Sequence, residues 1–388
     1  MRVLVVGAGI AGPTLAYWLH RDGHEVTIVE HAPGLREGGY LLDFWGAGFT
    51  VAERMGIVPT LMERGYRVRE VREVSRSGRR IGRFDPRRVM DRMGGRYVSI
   101  TRSDLARAVY EALDGELRTV FGDTVAALHD DGTRVAATFA RGGEEEFDLV
   151  VGADGLHSRV RTLAFGDDRE HERYLGMVLA AFDVDDYAPR EQLVAATRTV
   201  VGGQALRFTL RDGTSMLFFM LRHDGELPSD PGAQDELLRG RLGDAGWEVP
   251  AMLDALPRAR TRYVDRVSQI RMPHWSRGRI ALLGDAGACP SLLAGQGSAL
   301  AMISAHELAA ALRAEPIEQA LASWEGRLAG FVREKQDAAI GLGSAFAPKT
   351  RAGLVVRDAV LGLMGIPFVV DLAMSRSLRD AIELTPRP

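Results

Sequence analysis

Arg2-Val3-Leu4-Val5-Val6-Gly7-Ala8-Gly9-Ile10-Ala11-Gly12 opens the chain's first structural unit, and its reading decides the fold. Arg2 to Val6 is a short apolar run, the length of a buried strand. A helical pattern follows to about Arg21, Gly23 breaks it, and a second apolar run, Val26 to Val29, ends at Glu30. Strand, glycine turn, helix and strand make a parallel unit with a crossover helix. Gly7 permits the tight turn, Gly9 lets main chain approach a pyrophosphate, and Gly12 allows close helix–strand packing. Ile10 and Ala11 then carry the helix's first amides toward the phosphates with favourable dipole sign. Glu30 lies eighteen residues beyond Gly12, where a carboxylate accepts hydrogen bonds from a ribose diol. A carboxylate there disfavours a 2′-phosphate, so the pattern points to FAD or NAD rather than NADP at this site.

Composition narrows what surrounds that unit. The chain has 388 residues, 46% hydrophobic and 26% charged, the balance of a globular protein with a substantial core and not of a disordered chain. The formal charge of −3 supplies no global field for nucleic acid. Cys289 is the single cysteine, which excludes an internal disulfide and a thiolate metal cluster and suits a reducing, cytoplasmic setting. No zinc-binding histidine pair occurs at helical spacing, and no metal site is expected. The apolar stretch Gly353–Met374 is interrupted by Arg357, Asp358, Pro367 and Asp371, so helices packed on the protein are expected there and not a membrane span.

Further along, Gly34 to Asp43 is a glycine-bearing loop. Arg36 within it either reaches a phosphate or ribose or remains a solvated loop residue. Thr101-Arg102-Ser103-Asp104-Leu105 opens a helix, with Thr101 or Ser103 as cap. Arg102 in the first turn opposes the helix dipole, a position that makes sense for a residue serving an anionic or polar ligand. Phe147 to Val151 is a strand delivering Asp154-Gly155. From Leu175 to Phe219 alternating segments predict a separate antiparallel sheet, followed by a helix over Ala233–Leu242. Arg279 to Leu283 returns as a strand carrying Gly284-Asp285 to its C-terminal end, where ligands of open parallel sheets bind. Gly295-Gln296-Gly297 then starts an apolar helix to about Leu312 whose positive end faces the same region.

Three elements in this order, the glycine pattern with Glu30, Asp154-Gly155 after its strand, and Gly284-Asp285 with Pro290 and Gly295-Gln296-Gly297, resemble the FAD-dependent aromatic hydroxylases of the para-hydroxybenzoate hydroxylase fold. The nearest likeness is to the short members that include tetracycline-inactivating and antibiotic-tailoring monooxygenases. The resemblance implies an α/β fold: a Rossmann-like FAD-binding domain (1–72, 98–170 and 265–345), an inserted antiparallel β-sheet substrate domain (73–97 and 171–264) and a C-terminal helical segment (346–388). It implies that Gly7, Gly9, Gly12 and Glu30 hold the ADP half of FAD, that Arg102 reaches the phosphate–ribityl region and that the Val125 backbone meets the adenine. By the same resemblance Asp154 would bridge FAD and nicotinamide functions, Asp285 would bind the ribityl chain, and Pro290 with Gly295, Gln296 and Gly297 would line the isoalloxazine. The family's histidine after the Gly-Asp pair is absent here.

The implied activity is NAD(P)H- and O2-dependent hydroxylation, or else epoxidation or Baeyer–Villiger oxidation, of a polycyclic aromatic or polyketide-like small molecule through a flavin C4a-hydroperoxide, with NADPH or NADH as a transient co-substrate. The cofactor carries that chemistry, so no catalytic side chain is required. Phe182, Phe208, Met216, Phe218 and Met220 are the expected apolar substrate surface, and Cys289 is expected to be a buried thiol, not a flavin linkage. A dehydrogenase or oxidase of the same fold and a non-catalytic flavin-binding protein are the alternatives.

Overall fold

The computed structural model describes residues 1–87, 91, 94–363 and 382–386. The expected C-terminal segment therefore lies partly outside the described residues.

Around the opening unit stands a six-stranded sheet of Arg2–Val6 (β1), Glu25–Glu30 (β2), Arg118–Phe121 (β7), Leu149–Gly152 (β11), Ser276–Arg277 (β17) and Ile280–Leu282 (β18). Its order is β17-β18-β11-β1-β2-β7, parallel except for the short edge strand β17. Val3, Leu4 and Val5 in the centre are fully buried, as strands covered on both faces must be. A three-stranded sheet, Val125–Asp130 (β8), Val135–Phe139 (β9) and Glu144–Phe147 (β10), covers one face.

A seven-stranded sheet forms the second layer system. Its strands are Glu70–Val74 (β4), Arg80–Phe84 (β5), Glu172–Val184 (β12), Val194–Val200 (β13), Gly203–Thr209 (β14), Ser215–Arg222 (β15) and Thr261–Ile270 (β16). The order is β16-β12-β15-β14-β13-β4-β5. Every pair is antiparallel except β13 with β4, which join strands from distant stretches of chain. The charged stretch after Val74, which carries no strand periodicity, supplies β5 as the edge. Leu41–Trp45 (β3) and Tyr97–Thr101 (β6) pair as a separate two-stranded ribbon.

The α-helices among the described residues include Ala11–Arg21 (α1), Ala47–Arg54 (α2), Val58–Arg64 (α3), Arg102–Glu111 (α4), Arg159–Phe165 (α5), Pro231–Leu242 (α6), Val249–Ala255 (α7), Asp285–Ala288 (α8), Gly297–Ala314 (α9), Ile317–Phe346 (α10) and Arg351–Leu363 (α11). The largest core gathers α1, α2, α4, α9 and α10 on the six-stranded sheet, and a second lies between the seven-stranded sheet and α6 with α7. α11 lies over β5. Its Arg357 reaches Glu73 at 3.0 Å, a carboxylate buried at 3% exposure that also accepts from Thr197 and Thr199. No helix among the described residues is long and apolar enough to cross a membrane.

Candidate functional site

Between β1 and α1 the chain turns at Gly7, with φ of +111° and its amide donating to the Val29 carbonyl at 2.7 Å. A Cβ there would stand 2.4 Å from the Ala153 carbonyl oxygen, and one at Gly12 would stand 2.0 Å from the Gly7 carbonyl oxygen. Only glycine fits either position. Gly9 has open space instead, with nothing within 4 Å of its Cβ position. With Ile10 and Ala11 it forms part of the wall of a cavity of about 580 Å³. No side chain caps α1, so its first amides face that space with no side-chain acceptor. Free donors on a positive helix end, reached over a residue without a side chain, fit a pyrophosphate.

Glu30 ends β2 buried at 9% exposure and stitches the same loop together. Its Oε2 accepts from the Ala8 amide and its Oε1 from the Ala32 amide, both at 2.8 Å. Arg36, largely exposed, stands 3.9 Å from Glu30. Both lie on the approach to the glycine turn and neither lines the cavity. Val125 is buried, and its carbonyl accepts from Arg159 Nε at 2.5 Å.

Asp154 has a more occupied role than its motif suggests. Its Oδ1 accepts from Ser158 Oγ at 2.5 Å, while Oδ2 accepts from the amides of Arg159 at 2.8 Å and Val160 at 3.1 Å. Burial pushes its carboxyl upward against those bonds. It thus fastens the start of α5, while its neighbours Ala153 and Gly155 face the cavity.

Arg102 and Asp285 come from distant stretches of the chain to one cavity. Arg102 opens α4, which is capped by Thr101 Oγ1 accepting from the Asp104 amide at 3.1 Å. The Arg102 guanidinium has no ion pair among the described residues, as suits a group reserved for a ligand. Asp285 opens α8 after β18, beyond the carboxyl ends of the parallel strands. Gly295, at φ of +63°, and Gly297 bring the start of α9 to the same wall. Gln296 is the N-cap residue of α9 and Pro290 lies beside Gly297, its carbonyl accepting from Gln269; both sit behind the lining.

The cavity continues into an apolar chamber against the seven-stranded sheet. β14 and β15 pair Phe208 with Met216 and Leu206 with Phe218, and all four side chains face it. Two expected members do not. Met220 lies on the same sheet face one pair further along, beneath Leu293 and Ala339. Phe182 points to the opposite face, fully buried against α6 and α7, with Arg262 stacked 4.9 Å above its ring. The alternation of a strand sorts these residues, but which face meets the chamber is set by what packs on the other side. Cys289 lines the cavity as a buried thiol whose ionisation burial pushes up. His223 lies outside it, against the Glu226 carbonyl.

The residues that sequence reasoning missed sit on the ribbon of β3 and β6. Leu41, Asp43, Trp45, Tyr97 and Ser99 face the cavity, whereas Phe44, Val98 and Ile100 fill the core. Tyr40, beside the ribbon, also lines the cavity, and burial pushes its hydroxyl up to about 12.

Residues 1–324 match the family model described as FAD binding domain. A flavin-dependent monooxygenase of Legionella longbeachae is 30% identical over 388 residues, covering 99% of this chain and 97% of its own. The chain belongs to the flavin-dependent monooxygenases. FAD is the cofactor of this monooxygenase, and the open glycine turn, the uncapped α1 and the unpaired Arg102 are the parts that suit it. An uncharacterised protein of Mycobacterium tuberculosis is 36% identical over 343 residues, 86% of this chain and 91% of its own. Among solved structures, the tetracycline destructase Tet(55) superposes with a TM-score of 0.86 at 27% identity, covering 99% of this chain and 98% of that one. Klebsiella pneumoniae HpxO, solved with FAD and uric acid, superposes with a TM-score of 0.78 at 25% identity, covering 97% and 96%.

Proposed function

We propose that this monooxygenase uses NAD(P)H and O2 to oxygenate a polycyclic aromatic or polyketide-like small molecule. The observation that carries the reading is the continuity of the cavity: it runs from the glycine turn of α1 to a chamber walled by Phe208, Met216 and Phe218 without a protein partition. A flat, fused-ring substrate suits such walls, since aromatic faces bury large area and stack in offset geometry. Likeness to tetracycline destructases over nearly the whole chain supports the same substrate class.

Bound FAD supplies the oxygen-activating redox chemistry, and the chain supplies place and environment. Gly7, Gly9 and Gly12 with the start of α1 receive the pyrophosphate. Glu30 and the backbone near Val125 serve the ADP end, Arg36 its outer rim, and Arg102 and Asp285 the middle of the cofactor. Pro290, Gln296 and Asp154 hold the backbone segments that border it. The positive end of α9 at Gly297 favours negative charge on the adjacent ring system. The apolar chamber excludes water from the reacting atoms. In this reading the FAD part comprises 1–72, 98–170 and 265–345, the substrate part 73–97 and 171–264, and the protein works in the cytoplasm.

The test is NADH and NADPH oxidation by the FAD-loaded enzyme with a panel of polycyclic phenols including tetracycline, with products weighed by mass spectrometry. Oxidation stimulated by substrate, with a product heavier by one oxygen, is the expected result. A product lighter by two hydrogens would replace the reading with a dehydrogenase. No turnover of any member under either nucleotide would remove the substrate clause.

A further inference from the structure

We infer that Asp43, backed by Ser99, is the acceptor for a phenolic or enolic hydroxyl of the substrate, and that it selects hydroxylated polycycles over their alkylated counterparts. The inference rests on the reading of the chamber as a polycyclic-aromatic site and names the polar contact within it.

The argument starts from the ribbon. β3 and β6 pair antiparallel with Asp43 opposite Ser99 and Trp45 opposite Tyr97. Side chains opposite one another on one face of such a pair are near neighbours, and Ser99 Oγ donates to Asp43 Oδ1 at 2.6 Å. Ser99 also pairs by its backbone with Tyr66, whose ring meets Phe208 edge-on at 5.6 Å. That sequence of contacts sets Asp43 toward the apolar chamber and its aromatic wall. The Tyr97 hydroxyl hydrogen-bonds to the same carboxylate; burial, the Asp43 charge and that bond push its ionisation upward, so it stays a neutral donor.

Asp43 is exposed, and what it is exposed to is the cavity. No arginine, lysine or histidine pairs with it among the described residues. Its Oδ1 accepts from Ser99 and the Tyr97 hydroxyl hydrogen-bonds to the same carboxylate, so its protein partners are neutral hydroxyls and no cation among the described residues offsets its charge. A carboxylate held only by neutral hydroxyls and facing a largely apolar chamber is costly once a ring system displaces water from around it. A hydroxyl donor on that ring system removes the cost, and an ether oxygen at the same place does not. Discrimination by a polar group with spare acceptor capacity for a ligand hydroxyl is far steeper than discrimination by an extra methylene. Ser99 holds the carboxylate rotamer and is therefore a positioning residue, while Asp43 is the one that touches the ligand.

The experiment needs no turnover. FAD-loaded enzyme is titrated with 2,6-dihydroxyanthraquinone and with its dimethyl ether, following the flavin absorbance and confirming affinities by equilibrium dialysis. The wild type is expected to bind the dihydroxy compound at least about ten-fold more tightly, as a charge-assisted hydrogen bond implies. Asp43→Asn is expected to shrink that ratio to within about three-fold at unchanged flavin content, and Ser99→Ala to reduce it partly, with Ser99→Thr restoring it. Equal affinities in the wild type, or a ratio that survives Asp43→Asn, would overturn the inference, and the first needs no variant to fold. If neither compound binds the wild type, the polycyclic reading of the chamber fails and the inference falls with it. Binding of both without preference leaves that reading standing and removes only Asp43.

Discussion

Arg102 shows how a cofactor site includes single side chains that gain little from the protein alone. A guanidinium in the first turn of α4 is opposed by the helix dipole, and no carboxylate compensates it among the described residues. Such a residue is stabilised when an anionic ligand arrives. Arg102→Ala and Asp285→Ala are each expected to lower FAD retention by at least about ten-fold, the worth of one charge-assisted hydrogen bond. Flavin-to-protein absorbance ratios after gel filtration measure this; full loading of both variants would remove these assignments. Glycines of the opening turn were legible because their physical demand is local: Gly7 and Gly12 have no room for a Cβ. Asp43 was not legible, because its meaning depends on Ser99, 56 residues away, and on a chamber built from a different sheet.

Among elements, those whose patterning is local were the ones the sequence could supply. β1, α1 and β2 follow from two apolar runs around a glycine turn, and β14 and β15 from alternation. Facing is another matter. Phe182 and Phe208 both sit in alternating apolar strands, yet one meets α6 and α7 and the other the cavity, a difference decided by non-local packing. β5 escaped notice because its exposed edge carries arginines and Ile81 where a buried strand would be apolar. This edge is where α11 attaches, and the buried Glu73–Arg357 pair is its anchor. Arg357→Ala leaves Glu73 buried with only hydroxyl and amide donors, so a loss of about 3 kcal/mol is expected. The urea midpoint reports it, and an unchanged midpoint would mean that α11 is held by its apolar contacts alone.

Across the whole molecule, one buried carboxylate helps to fasten residues 382–386 to the nucleotide-binding core. Glu307 of α9 is buried at 2% exposure and stands 2.7 Å from Arg327. Burial alone would raise it, but hydrogen bonds from His306 and from the Thr385 hydroxyl and amide override this and hold it at about 2, below its ordinary 4.5. A carboxyl depressed on folding stabilises the native state above its unfolded pKa and loses that contribution as pH falls toward the folded value. Acid titration of wild type and Glu307→Gln should therefore diverge most above about pH 4.5 and converge toward pH 2. Parallel curves throughout would exclude Glu307 as the source. Elsewhere stands Cys289, the chain's single sulfhydryl, in the cavity wall and shielded from solvent. A thiol-specific dye thus has one address in the entire molecule, and its rate of attachment becomes a clock for how often the cofactor chamber opens.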